Sequence, residues 1–317
     1  MTKKRKNKIS LTQFPVYKKW DTYSKNHRFP WSGGNSIYTV LKVMGEGFRN
    51  SVLAMRASAL AFKFMMAAIP ALILMNMVIP IVLPQESKDV LFSILSEFLP
   101  SNIFGSIREP VSEVSGSMDG GVISLTIFAT IYFAVNGMRA SMVIFNGSYH
   151  IKETRPLLRQ FAVAFLMVGI LIVIAAVGSS VFLLNQKVIH WLQLKHVLGS
   201  FWSSGIVFFI KYLFFFLFLS MILSWIYFLA PAKRTKYHFF SPGSIIAAFF
   251  CVVASVGFDG FIADFTKYNE VYGAISALFI LMLFLFILSL IFLIGFEINA
   301  ALYFGVRNEK ESDGESL

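Results

Sequence analysis

The sequence predicts an all-α fold: a polytopic membrane helix bundle of six transmembrane helices with both termini cytoplasmic. Three observations carry that expectation. Between Ala57 and Tyr303 lie six long, mostly apolar runs. A helix needs about 20 such residues to cross the roughly 30 Å hydrocarbon core, where only internally hydrogen-bonded elements persist. The composition is 56% hydrophobic and 16% aromatic, with 35 Phe, and only 14% charged, against about a quarter in soluble domains. Lys and Arg are shared unevenly among the connecting segments, which sets orientation.

Taken in order, residues 1–36 read as a basic, aromatic cytoplasmic tail. Lys3, Lys4, Arg5, Lys6 and Lys8 supply much of the net charge of +11, and Phe14, Tyr17, Trp20, Tyr23, Phe29 and Trp31 stand among Lys18, Lys19, Lys25 and Arg28. Such a segment is held on anionic lipid at the membrane surface. The same residue types can stack on bases, but beside a bilayer no nucleic acid partner is expected. Over 37–56 the apolar positions Leu41, Met44, Phe48 and Val52 recur at helical spacing opposite Lys42, Glu46, Arg49 and Asn50. They predict an interfacial amphipathic helix. The first apolar run begins too late for a cleaved secretory signal, so the chain is expected to be retained intact.

The membrane domain spans 57–303. Its helices are expected over Ala57 to Val82, Gly121 to Phe145, Phe161 to Leu184, Ser204 to Leu229, Ser244 to Ile262 and Tyr272 to Tyr303. Lys42, Arg49 and Arg56 precede the first; Lys152, Arg155 and Arg159 join the second to the third; Lys233, Arg234 and Lys236 join the fourth to the fifth; Arg307 and Lys310 follow the sixth. These segments are assigned to the cytoplasm, and 304–317 is a charged cytoplasmic tail. In the outer loop, 84–120, Val90, Leu91, Ile94, Leu95, Phe98 and Leu99 make one apolar helical face, and Phe104, Ile107, Val111 and Val114 another. Two short amphipathic helices follow from that pattern, as a lid or as a packed cap. Ser115 to Gly121 reads as a flexible joint.

Charges inside apolar runs need a partner or a task, because each costs about 2.5–3.5 kcal/mol at mid-membrane on insertion scales. Arg56 and Lys63 share one face of helix 1, two turns apart. Arg139 shares a face of helix 2 with Asn136 and Asn146, and Glu297 lies near the end of helix 6. At about 1.5 Å per residue, Lys63, Arg139 and Glu297 fall at similar depth. If the three helices adjoin, Arg56, Lys63 and Arg139 surround one carboxylate. The excess positive charge suits a phosphate or carboxylate group. Snorkelling of the basic heads, or a clamp between Arg56 and Glu297, is the alternative. Lys211, near the outer end of helix 4, reads as a snorkelling residue. On the outer side, Gly257 and Gly260 flank Asp259 and are candidates to break helix 5. With Asp264, Tyr268 and Tyr272, Asp259 forms either a polar edge or a proton-carrying vestibule.

The function classes excluded are informative. Cys251 is the single cysteine and lies in an apolar run, so no disulfide framework or thiolate metal site is expected. His27, His150, His190, His196 and His238 are scattered, with no metal-ligand run, no P-loop and no nucleophile elbow. No metal, no cofactor and no catalytic residue are expected, and the chain is not read as an enzyme.

Several segments carry a family resemblance. They are "RASALAF" from Arg56, "AAIPALIL" from Ala67, Asn136 with Gly137, Asn146 with Tyr149, "SPG" from Ser241, "YNEVYGAI" from Tyr268 and "IGFEINAAL" from Ile294. In this order the chain resembles the YihY/BrkB family, departing at Leu283 to Ile287, where a Trp is common. The resemblance implies a six-helix inner-membrane protein linked to envelope integrity or serum resistance and to movement of lipids or solutes. The ribonuclease BN label attached to that family finds no support in the residues. Two functions follow from the sequence: a transporter or flippase-like carrier of an anionic lipid or solute, or a non-transporting scaffold that organises the envelope. The carrier needs an accessible cavity at Lys63 and Arg139, and the scaffold a filled core. Anionic membrane lipids are the expected partners. A homo-oligomer is compatible with the sequence, which does not select one.

Overall fold

Apolar runs of this length satisfy every backbone group only as helices, and the computed structural model shows six long ones: α1 (Val52–Val82), α2 (Gly120–Ser148), α3 (Leu157–Leu194), α4 (Ser200–Leu229), α5 (Pro242–Ala263) and α6 (Ala274–Gly314). The structure describes residues 52–82, 92–93, 96, 99, 103–105, 108, 120–148, 153–194, 200–232, 239–263 and 274–314, and no strand occurs among them. Among the described residues five helices are long and apolar enough to cross a membrane, over Leu53–Ile73, Gly120–Gly147, Leu157–Gly178, Phe209–Leu229 and Leu278–Leu302. The apolar part of α5, Pro242–Phe258, is shorter.

The tail over 1–36 and the amphipathic stretch over 37–51 lie outside the described residues, and 52–56 belong to α1 itself. Two helices outrun their apolar signal. α3 continues to Leu194, ten residues past the expected Leu184, and α6 continues to Gly314 through the segment read as a tail. Nor do Gly257 and Gly260 break α5, which runs unbroken to Ala263. A lone glycine lowers helix propensity by only about 1 kcal/mol.

The chain forms two compact units: one spans Ser51–Phe296, and the other takes α6 from Glu297. Within the first, α1 packs on α2, α2 on α3, α3 on α4 and α4 on α5. α1 and α2 run antiparallel, since Arg56 meets Gly147 and Lys63 meets Gly137. Ala57, Leu60 and Ala61 are fully buried on α1, small residues among them letting the helices approach. Ser241 caps the start of α5. Its Oγ accepts from the Ser244 backbone N–H at 3.3 Å, its carbonyl accepts from the Ile245 N–H at 3.2 Å, and Pro242 takes the first helical position; both choices satisfy orphan groups of a helix start. In the second unit, Ile298, Asn299, Ala300, Ala301 and Leu302 are buried on α6.

The described part of the outer loop is packed as a cap. Ile103, with Leu99 beside it, joins Phe258 of α5 and Ile280, Leu281 and Phe284 of α6 in one buried cluster. Ile103 rather than Phe104 points inward, while Phe104 sits edge-on to the buried Phe92. Ile107, Val111 and Val114, the rest of the expected face, lie outside the described residues.

Candidate functional site

At the end of the bundle that joins α2 to α3 and α4 to α5, a buried polar network ties three segments together. The Asn146 amide, in the last turn of α2, donates from Nδ2 to the Glu153 carboxylate, and its Oδ1 accepts from the Ala232 backbone N–H at 3.0 Å. Glu153 pairs with Arg155 at 3.3 Å, and the Arg155 backbone N–H donates to the same carboxylate at 3.1 Å. Arg155 Nη2 donates to the Ala230 carbonyl at 2.8 Å, just past α4, where helix carbonyls lack intrahelical donors and the dipole favours a cation. Gln160 Nε2 donates to the Arg155 carbonyl at 2.9 Å. Burial pushes Arg155 below the ordinary arginine value, while the Glu153 charge raises it and Arg159 lowers it further. One carboxylate and one guanidinium neutralise each other here, so this network is a clamp and not an anion receptor.

The cations named from the sequence are placed differently. Arg56 Nη2 donates to the Gly147 carbonyl at 3.0 Å, crossing from α1 to the end of α2. Lys63 is half-buried, with its backbone against Gly137: a Cβ on that glycine would lie 3.7 Å from the Lys63 carbonyl oxygen. Lys63 and Arg139 are thus level, yet two residues turn a helix by about 200°. Gly137 faces α1, while the Arg139 guanidinium lies 4.7 Å over the Phe161 ring of α3. Its Nε is buried without a hydrogen-bond partner, and no carboxylate pairs with it among the described residues. Asn136 is half-buried one turn before Arg139. α2 therefore brings Arg139 and Asn146 to its α3 side and leaves Arg56 and Lys63 on α1. Glu297 is half-buried on α6 in the other unit.

Between α1, α2, α4 and α6 the interior is filled by rings. Phe145 stacks on Phe296 at 4.0 Å and leans on Phe292 at 5.1 Å and Tyr227 at 5.9 Å, while Phe64 meets Phe292 edge-on at 6.0 Å. The Tyr227 hydroxyl donates to the Phe292 carbonyl at 2.6 Å. Beside it the Ser224 hydroxyl donates to Ser244 Oγ at 2.9 Å, and Ser244 donates onward to the Ser241 carbonyl at 2.8 Å. The hydroxyls of Ser220 and Ser289 are buried without a partner.

Of the outer polar set, Asp259 lies on the unbroken α5, and Asp264, Tyr268 and Tyr272 fall outside the described residues. Lys211 sits 5.5 Å over the ring of its neighbour Tyr212. Glu153, Gln160, Tyr227, Ser224 and Ser244 are not singled out by the sequence, Ser241 enters only through its motif, and Arg155 serves only for orientation. A carboxylate and an arginine two residues apart, just before the helix-starting Pro156, were the available signal.

The profile of one family, Virulence factor BrkB, matches residues 45–316. The chain belongs to the BrkB family. Putative ribonuclease-like protein YfkH of Bacillus subtilis is 24% identical over 252 residues, covering 78% of this chain and 89% of that protein. UPF0761 membrane protein NT05HA_1801 of Aggregatibacter aphrophilus is 26% identical over 288 residues, 88% and 97% of the two chains. UPF0761 membrane protein NTHI0384 of Haemophilus influenzae is 25% identical over 264 residues, 80% and 91%. No solved structure matches. In this BrkB-family chain the motif segments have definable structural tasks. Gly137 lies against α1, Asn146 holds two connections, Ser241 caps α5, and Gly295 lets α6 pass against α5.

Proposed function

We propose that this membrane protein is a flippase-like carrier of anionic lipid in the cytoplasmic membrane, acting without an ATPase or nuclease site of its own. The observation that carries the reading is Arg139: a guanidinium within a membrane span, unpaired among the described residues and resting on an exposed aromatic ring. A fixed cation at that depth needs a counter-charge, and a lipid phosphate brings one with two acceptor oxygens matched to the guanidinium fork. Arg56 and Lys63, on α1 at the same end, extend the positive field.

The second reading is a non-transporting scaffold of the envelope. The close-packed rings of Phe64, Phe145, Tyr227, Phe292 and Phe296 favour it, because they occupy the centre through which a channel would run. Reconstitution into phosphatidylglycerol vesicles carrying a fluorescent phosphatidylglycerol separates the two. A carrier speeds exchange of the label between leaflets, measured by quenching with an impermeant reductant. A scaffold leaves it at the protein-free rate.

A further inference from the structure

We infer that the anionic headgroup is bound from the bilayer side, at the seam where α2 packs on α3, by Arg139 with Phe161 as its platform. The ligand class is a net-anionic phosphodiester lipid, whose phosphate has no headgroup ammonium to compete with the guanidinium, in the leaflet at the basic end. This inference rests on the carrier reading for its purpose, while its geometry stands on separate observations.

The first is access. Phe161 and its neighbours Leu157, Leu158, Phe165 and Leu166 are all exposed on a membrane-crossing helix, so this face of α3 meets lipid. The packed rings close off the bundle centre at Phe64 and Phe145, which leaves the α2–α3 side as the approach to Arg139. The second is depth. Phe161 lies four residues into α3, about 6 Å along its axis, just inside the expected hydrocarbon boundary and within reach of lipid phosphates. The third is charge. Arg155 is neutralised by Glu153, but no carboxylate pairs with Arg139 among the described residues, and an arriving phosphate supplies the missing counter-charge. The fourth is shape. One guanidinium face is held by the Phe161 ring at 4.7 Å and Nε is buried, which leaves the two Nη groups as the fork for a pair of phosphate oxygens.

The test uses the purified full chain and native mass spectrometry, with phosphatidylglycerol and phosphatidylethanolamine added in turn to delipidated protein of matched thermal stability. Wild type is expected to retain phosphatidylglycerol in preference to phosphatidylethanolamine. Arg139→Gln should weaken that retention by roughly tenfold or more, the worth of a charge-assisted hydrogen bond. Arg139→Lys, which keeps charge and fold but not the fork, should fall between, and Phe161→Leu should cost about two- to fivefold. Lys211→Gln removes a cation elsewhere and should change nothing. Unchanged retention in Arg139→Gln overturns the site, as does an equal loss in Lys211→Gln. Displacement of the lipid by millimolar inorganic phosphate also overturns it, in favour of a free-anion site. The leaflet-exchange assay keeps the two readings apart. Retention without exchange in wild type sinks the carrier and spares the site, whereas exchange that survives Arg139→Gln together with unchanged retention sinks the site and spares the carrier.

Discussion

Two glycines of the bundle make opposite demands. A Cβ on Gly295 would come within 2.6 Å of the Ala247 Cβ and the Tyr227 hydroxyl and 2.7 Å of the Gly243 carbonyl. Backbone and a methyl group cannot swing aside, so α6 would have to move off α4 and α5. Gly295→Ala is expected to destabilise by about 1–3 kcal/mol, the usual cost of overpacking, visible as a lowered thermal midpoint in detergent. Gly137 has 3.7 Å of room against Lys63 and Phe64, an ordinary contact. Gly137→Ala should be neutral, or gain up to about 1 kcal/mol from helix propensity. Equal effects of the two substitutions would show that close approach is not what Gly295 provides.

At the scale of elements, the clamp at the basic end joins the end of α2, the start of α3 and the end of α4. Glu153→Ala would strip Arg155 of its carboxylate and take a partner from Asn146; because the pair is only partly buried, the expected loss is about 1–3 kcal/mol. The double variant Glu153→Ala with Arg155→Ala should recover part of that loss, because no charge is then stranded. Chemical denaturation of the two single variants and the double would check the cycle, and strict additivity would count against the pairing.

The same elements show what a sequence makes legible. The spans of α2, α4 and α5 were readable to within a few residues, because the bilayer imposes an apolar length that composition records. The extensions of α3 to Leu194 and α6 to Gly314 were not, since hydropathy marks the hydrocarbon and not the end of a helix. Arg139 and Asn146 stood out as polar groups in apolar surroundings. Glu153 and Arg155 did not, because charges in a connecting loop are ordinary, and their partners Ala230 and Ala232 contribute only backbone.

For the whole molecule, function depends on which side of the membrane the basic end faces. The Lys and Arg bias predicts a cytoplasmic 149–156 connection, and that expectation would put the lipid site proposed at Arg139 in the inner leaflet. Exposed Thr154 and Arg108 stand on opposite sides of α2 in the chain, one after its end and one before its start. A helix that crosses the bilayer must therefore put them on opposite faces. The single thiol, Cys251, is buried, so it adds little background to cysteine labelling. In intact cells an impermeant maleimide is expected to label Arg108→Cys, and to label Thr154→Cys only after the cytoplasmic face is opened. The reverse pattern would invert the bundle. Arg139 would then lie beneath the outer leaflet, and the lipid it faces would have to be supplied from that side, so the carrier would load from the outer leaflet.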